Sequence, residues 1–225
     1  MKNIILLSTL ICIIIGLIVK KKLFNSYNRN DHAISNIKNF LAAGNLKSGD
    51  IIFQTSRSSQ SKAIHLATKS KYSHCGIIYQ KGKDFFVFEA VQPVKMTPLN
   101  QWISRGEDEK FVVKRLKSAS AILTASNLEK LKIEGYKFSG KDYDLTFDWS
   151  DDKIYCSELI YKIYKRALNI EIGKLGKLKD FDFTNETVQL KMQERYGNNI
   201  PSEEIVISPA AIFNSDLLIT TNSNY

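Results

Sequence analysis

The chain has 225 residues, 44% of them hydrophobic, and a formal net charge of +9. That size suits one domain with an appendage and supplies enough apolar side chains for a core. Three cysteines, Cys12, Cys75 and Cys156, with no CxxC spacing exclude a disulfide framework and speak against structural zinc. The positive charge is compatible with lipid head groups, wall polymers or nucleic acid, but no nucleic-acid motif accompanies it, so a solvated basic surface accounts for it and no nucleic-acid partner is expected.

Ile4 to Val19 is apolar apart from Ser8 and Thr9, and is flanked by Lys2 and by Lys20, Lys21 and Lys22. As a helix it spans about 24 Å at ~1.5 Å per residue. That is short of a ~30 Å hydrocarbon core by a margin that snorkelling lysines make up. No small-x-small cleavage site follows, and Thr9-Leu10-Ile11 lacks the small residue a lipoprotein signal needs before Cys12. Residues 1–22 are expected to be an uncleaved transmembrane anchor, with a cleaved signal as the rival. The heavier C-terminal flank points to a cytoplasmic domain by the positive-inside rule, although the counts differ little. Residues 23–45 read as a polar tether and a short amphipathic helix, Asp31 to Ala43, with Ile34, Ile37, Phe40 and Leu41 on one face and Gly44 as its stop.

Leu46 to Asp50 is a turn and Ile51 to Gln54 a short buried strand. Ser58 to Lys69 has the character of a helix carrying His65, and a lone histidine there is more often structural than catalytic. Tyr72 to Tyr79 is a strand, Gln80 to Lys83 a turn, and Asp84 to Ala90 the returning strand. Centring the turn between Lys81 and Gly82 pairs Tyr79 with Asp84, Ile77 with Phe86 and His74 with Glu89. The last pair sets a carboxylate opposite an imidazole, Cβ atoms about 5 Å apart on one face. A cross-strand polar pair at a sheet end is the competing reading, and a one-residue shift of the turn centre moves the pairing by two. Alternation sends Cys75 to the other face, which makes it a poor candidate for a thiol activated by His74.

Val91 to Gly106 is a connection with two prolines, Lys110 to Leu116 a strand, and Thr124 to Tyr136 a helix. Lys137 to Lys153 is a long aromatic and acidic loop whose acids do not match a calcium loop. No metal and no cofactor are expected. Leu159, Ile160, Ile163, Tyr164, Ala167 and Leu168 then form a helical stripe, and the polar run Asp148 to Lys153 before it places the helix start near Cys156. A thiol in the first turn of a helix meets unpaired N–H groups and the positive end of the dipole. Both favour thiolate, and the same N–H groups can hold an oxyanion. The competing reading of Cys156 is a small buried apolar residue. A lysine-rich stretch, Gly173 to Lys179, and a variable patch up to Pro201 precede a strand, Glu204 to Ile207. Ser208-Pro209 then opens a short helix.

In this order and spacing the chain resembles the permuted papain-like amidases of the YiiX type, relatives of NlpC-type cell-wall peptidases. The resemblance runs from about Leu46 to Leu218. It rests on Leu46-Lys47-Ser48-Gly49-Asp50-Ile51-Ile52-Phe53, Tyr72-Ser73-His74-Cys75-Gly76-Ile77, Phe88-Glu89-Ala90, Tyr143-Asp144, Tyr155-Cys156-Ser157-Glu158-Leu159 and Ser208-Pro209. It implies an α+β, circularly permuted papain-like cysteine hydrolase fold over residues 46–220, an antiparallel sheet packed on helices; the N-terminal membrane helix expected from the apolar run Ile4 to Val19 precedes it. It implies His74 as general base, Glu89 as the group that orients it and Cys156 as nucleophile. The family usually has an apolar residue after the histidine, where this chain has Cys75. A Cys75–Cys156 disulfide would disable the site, and strand alternation argues against one. The expected function is a membrane-anchored cysteine hydrolase that cleaves amide bonds in peptidoglycan peptides, its catalytic domain outside the cytoplasm. A lipid acyl hydrolase or acyltransferase acting on acylated lipids is the second reading, and a catalytically inactive membrane-tethered binding domain the third.

Overall fold

The structure, a computed structural model, describes residues 46–58 and 60–225 together with Lys20. The expected anchor (Lys20 apart), the tether and the helix from Asp31 to Ala43 lie outside the described residues. Among the described residues no helix is long and apolar enough to cross a membrane. The chain divides into two units, Met1–Ala43 and Gly44–Tyr225, and the fold belongs to the second.

Its elements in order are β1 (Ile51–Gln54), α1 (Ser61–Thr68), β2 (His74–Lys81), β3 (Asp84–Glu89), β4 (Lys95–Pro98), α2 (Leu99–Ser104), β5 (Val112–Leu116), α3 (Ala119–Ile122), α4 (Ala125–Tyr136), α5 (Cys156–Leu168), β6 (Gly176–Lys177), α6 (Glu186–Tyr196), β7 (Ile205–Val206), α7 (Pro209–Phe213) and β8 (Leu218–Ser223). Strands in the order β4-β3-β2-β1-β5-β8 make a six-stranded sheet, antiparallel at every pairing, and β6 pairs with β7. The mixed, antiparallel α+β architecture matches the expectation.

One face of the sheet carries the main core. Phe53, Cys75, Ile77 and Phe88 meet Leu159, Ile160, Ile163 and Tyr164, the apolar stripe of α5. Fully burying a side chain of this kind contributes about 1.5–3 kcal/mol. On the other face Trp102 and Ile103 of α2 are buried. Arg115 ties β5 to the turn before β1: its Nε and Nη2 donate to the two Asp50 carboxylate oxygens at 2.6 and 2.7 Å. The sheet's outer strand, β8, runs to Ser223, beyond residue 220.

Three sequence expectations need correction. The β2–β3 hairpin turns on Gly82-Lys83, so Lys81 faces Asp84, Tyr79 faces Phe86 and Ile77 faces Phe88. Gly82 sits at φ +62° in the first central position, the left-handed region that the tight two-residue hairpin turns use. The turn centre lies one residue later than expected, which slides the ladder by two. Val91 to Gly106 is no bare connection, because it contains β4 and α2. As an edge strand β4 tolerates Pro98, whose missing N–H costs no ladder bond, and Pro98 then becomes the N-cap of α2. The variable patch before Pro201 contains α6, capped by the Asn185 side chain accepting from the Thr187 N–H at 2.9 Å. Val188 and Met192, one turn apart, are its buried residues, too few for a legible stripe.

Candidate active site

Helix α5 begins at Cys156, after Tyr155 in extended conformation. Two neighbours of Cys156 fix that first turn to one residue of the chain's last quarter. Tyr155 Oη accepts from the Ile207 N–H at 3.0 Å, and Ser157 Oγ donates to the Ile207 carbonyl at 2.7 Å. Glu158 Oε2 accepts from the Tyr155 N–H at 3.4 Å. Glu158 is buried beside Lys162 Nζ, 2.6 Å from Oε1. Burial pushes its carboxyl up to about 8 against the pull of Lys162.

His74 opens β2. Its Nε2 lies 2.6 Å from Glu89 Oε2, and its ring stacks on Trp102 with centroids 5.9 Å apart. Glu89 is fully buried, and its other oxygen accepts from Thr97 Oγ1 at 2.6 Å and from Arg105 Nη2. Burial alone would raise the Glu89 carboxyl. The hydrogen bond and charge of His74, joined by Arg105 and Thr97, hold it instead at about 2. Burial would likewise lower the His74 imidazole, but hydrogen bonds to Cys156 and Glu89 raise it to about 9. With Nε2 engaged by Glu89, Nδ1 is the ring nitrogen left for Cys156.

The Cys156 thiol is held well below its ordinary range. The largest cause is a hydrogen bond from the Cys75 thiol, and the His74 hydrogen bond and charge add to it against burial. Burial and the neighbouring Cys156 push the Cys75 thiol up. The structure therefore brings Cys156, His74 and Glu89 together, as the sequence predicts, and adds Cys75. Alternation does put Cys75 and His74 on opposite faces, but it does not separate Cys75 from Cys156. The start of α5 meets the start of β2, where side chains from both faces are within reach.

A cleft opens beside Cys156. Ala63, Ile64 and Ala67 of α1, Phe147, and Val188 and Met192 of α6 wall it, with Lys191 and Arg195 as its cations. Tyr143 lines it as well. Its hydroxyl accepts from Gln60 Nε2 at 2.8 Å, and Gln60 Oε1 accepts from Arg195 Nη2 at 2.8 Å. Burial and the charge of Cys156 push the Tyr143 phenol well up, so it stays protonated and keeps a hydrogen to donate. Sequence reasoning matched Tyr143 without giving it a role, and missed Gln60, Thr97, Trp102, Arg105 and Arg195. Recognising β4 as the partner of β3 would have put Thr97 beside Glu89. Nothing in the pattern joins Gln60 to Arg195.

The family described as permuted papain-like amidase enzymes, YaeF/YiiX, C92 family, matches residues 45–219. A curated protein of Escherichia coli strain K12, named uncharacterized protein YiiX, is 51% identical over 174 residues, which are 77% of this chain and 85% of that protein. A crystal structure described as the metalloprotein yiiX from Escherichia coli O157:H7 superposes with a TM-score of 0.77 at 50% identity, covering 80% of this chain and 99% of that one. With a helix-start thiol beside an imidazole and a carboxylate, the chain belongs to the permuted papain-like amidase family, a family of cysteine peptidases and amidases.

Proposed function

We propose that Cys156 is the nucleophile of an amide hydrolase, His74 its acid and base, and Glu89 the residue that orients the imidazole. The supporting observation is the chain of contacts from the lowered Cys156 thiol through His74 to the buried Glu89. The thiolate attacks the amide carbonyl, and the N–H groups of the first turn of α5, with the Tyr143 hydroxyl nearby, receive the oxyanion. The His74 imidazolium gives its proton to the leaving amine. The neutral ring then takes a proton from water, which attacks the thioester and frees Cys156.

The apolar walls of the cleft beside Cys156 favour a substrate with an apolar group next to the scissile bond, as in an N-acylated lipid. A peptidoglycan peptide is the second reading, favoured by Lys191 and Arg195, which suit the carboxylates of wall peptides. The proposal includes a membrane anchor at residues 4–19 and a catalytic domain outside the cytoplasm. The complete set of three groups speaks against an inactive binding domain. The crystallised relative is described as a metalloprotein, but among the described residues of this chain no group of three or more His, Cys, Asp or Glu side chains is placed to hold an ion.

Incubating the full chain with N-acylated lipids and with peptidoglycan fragments, then identifying products by mass spectrometry, tests the reading. Free fatty acid from the lipids, absent with Cys156→Ala, is the expected result. Products from wall peptides alone would transfer the proposal to the second substrate. Products that persist with Cys156→Ala would overturn the assignment of the nucleophile.

A further inference from the structure

Cys75 takes no part in the proposed hydrolysis, yet it shares the buried core cluster of Cys156. Packing alone does not call for sulfur at this place, which an aliphatic side chain would fill. Both cysteines are free, buried thiols of one core cluster, gathered where the start of α5 packs on β2. Both are buried, but Cys156 borders the cleft, whereas Cys75 lies behind it on the core face of β2. A small oxidant entering the cleft meets Cys156 first, and Cys75 is reached from within the protein.

We propose that Cys75 and Cys156 form an oxidation-sensitive dithiol, in which a hydroperoxide oxidises Cys156 and Cys75 resolves the product as an intramolecular disulfide. In the first step the Cys156 sulfur attacks the distal peroxide oxygen, the O–O bond breaks, and the alkoxide or hydroxide leaves with the proton of the His74 imidazolium. Cys156 becomes a sulfenic acid. In the second step the Cys75 sulfur attacks the Cys156 sulfur, the S–O bond breaks, and hydroxide departs with the thiol proton as water. The two thiols lose two electrons and the peroxide gains them. The closed form has no nucleophile, is spared further oxidation, and reopens with a thiol reductant. This inference requires a thiolate at Cys156 but not a particular substrate.

The test treats reduced full-length protein with hydrogen peroxide, blocks remaining thiols with iodoacetamide, and maps the cysteines by peptide mass spectrometry. A linked Cys75–Cys156 peptide is expected, lost on adding dithiothreitol with return of an alkylatable Cys156. With Cys75→Val or Cys75→Ala, whichever retains the wild-type circular dichroism spectrum, Cys156 should pass to sulfinic acid that dithiothreitol does not recover. Sulfinic acid at Cys156 beside an alkylatable Cys75 in the wild type would overturn the proposal, as would a disulfide joining Cys156 to Cys12. Fast alkylation of Cys156 in the untreated protein reports on the nucleophile separately, so loss of the dithiol reading leaves the hydrolase reading intact.

Discussion

Glu89 stands two residues out of register with His74 and still holds a carboxylate oxygen 2.6 Å from its ring. Continuing the ladder one step beyond Ile77 and Phe88 puts Gly76 opposite Glu89, so His74 is its diagonal neighbour on the same face, within reach of two long side chains. Gly76 allows this crossing. A Cβ there would meet Val87 Cγ1 at 2.4 Å and the Phe88 carbonyl oxygen at 2.9 Å. Gly76→Ala should therefore push β2 and β3 apart, costing about 1–3 kcal/mol and loosening the His74–Glu89 contact. Denaturant unfolding and turnover of the purified variant check both effects, and wild-type stability would contradict the close approach.

Glu89→Gln keeps the shape of the side chain and removes its charge. The raised His74 value rests on Cys156 and then on Glu89, so the alkaline limb of activity should move down from about 9 toward the ordinary 6.5. Turnover should fall by about 10²–10⁴-fold. An unchanged pH–rate profile would show that another group sets the imidazole.

The same pair shapes stability. Glu89 is lowered from 4.5 to about 2 on folding, so its contribution is present above 4.5 and drains away as the pH falls toward about 2. His74 is raised from 6.5 to about 9, so its contribution is complete below 6.5 and is lost as the pH rises through about 9. Melting temperatures across that range should form a plateau between 4.5 and 6.5. Glu89→Gln should remove the Glu89 share of the acid slope. A wild-type and a variant curve that run parallel would contradict the coupling.

Alkylation distinguishes the two described thiols. Iodoacetamide near neutral pH should modify Cys156 far faster than Cys75, because Cys156 is lowered and lines the cleft while Cys75 is raised and buried. Equal slow labelling would count against a thiolate at Cys156.

The cleft wall makes a separate prediction. Ala67→Leu adds bulk from α1 and should reduce kcat/KM for long acyl chains by about tenfold while short chains and the alkylation rate of Cys156 are unaffected. Equal losses for short and long chains would argue that the apolar wall does not hold the acyl group.

Membrane attachment is testable by fractionation. The full chain should sediment with membranes and resist a high-salt wash, because apolar burial is not screened by salt. Release by salt alone would assign attachment to the basic surface.

Much of this was legible in the sequence because it depends on short-range pattern. The α5 stripe with the polar run before it located Cys156 at a helix start, and the β2–β3 hairpin put His74 and Glu89 on a shared face. Even with the register misplaced, a slip of two preserves the face, which is why the pair survived the error. Thr97 and Arg105 were hidden because a proline-bearing edge strand and a six-residue helix carry almost no periodicity. Gln60 and Arg195 were hidden because only the finished fold joins residues 135 apart. Cys75 shows the limit of face reasoning: alternation separates side chains across a sheet, but at a strand's end a helix terminus can touch both.

The clamp on Ile207 has a consequence for synthesis. Cys156, His74 and Glu89 all leave the ribosome before the residue whose backbone holds Tyr155 and Ser157 in place. Until Ile207 has emerged, the apolar stripe of α5 can pack on the sheet, but Tyr155 Oη and Ser157 Oγ lack the backbone partner that fixes the first turn. The last restraint on the first turn of α5 therefore comes from a segment made after every reactive residue.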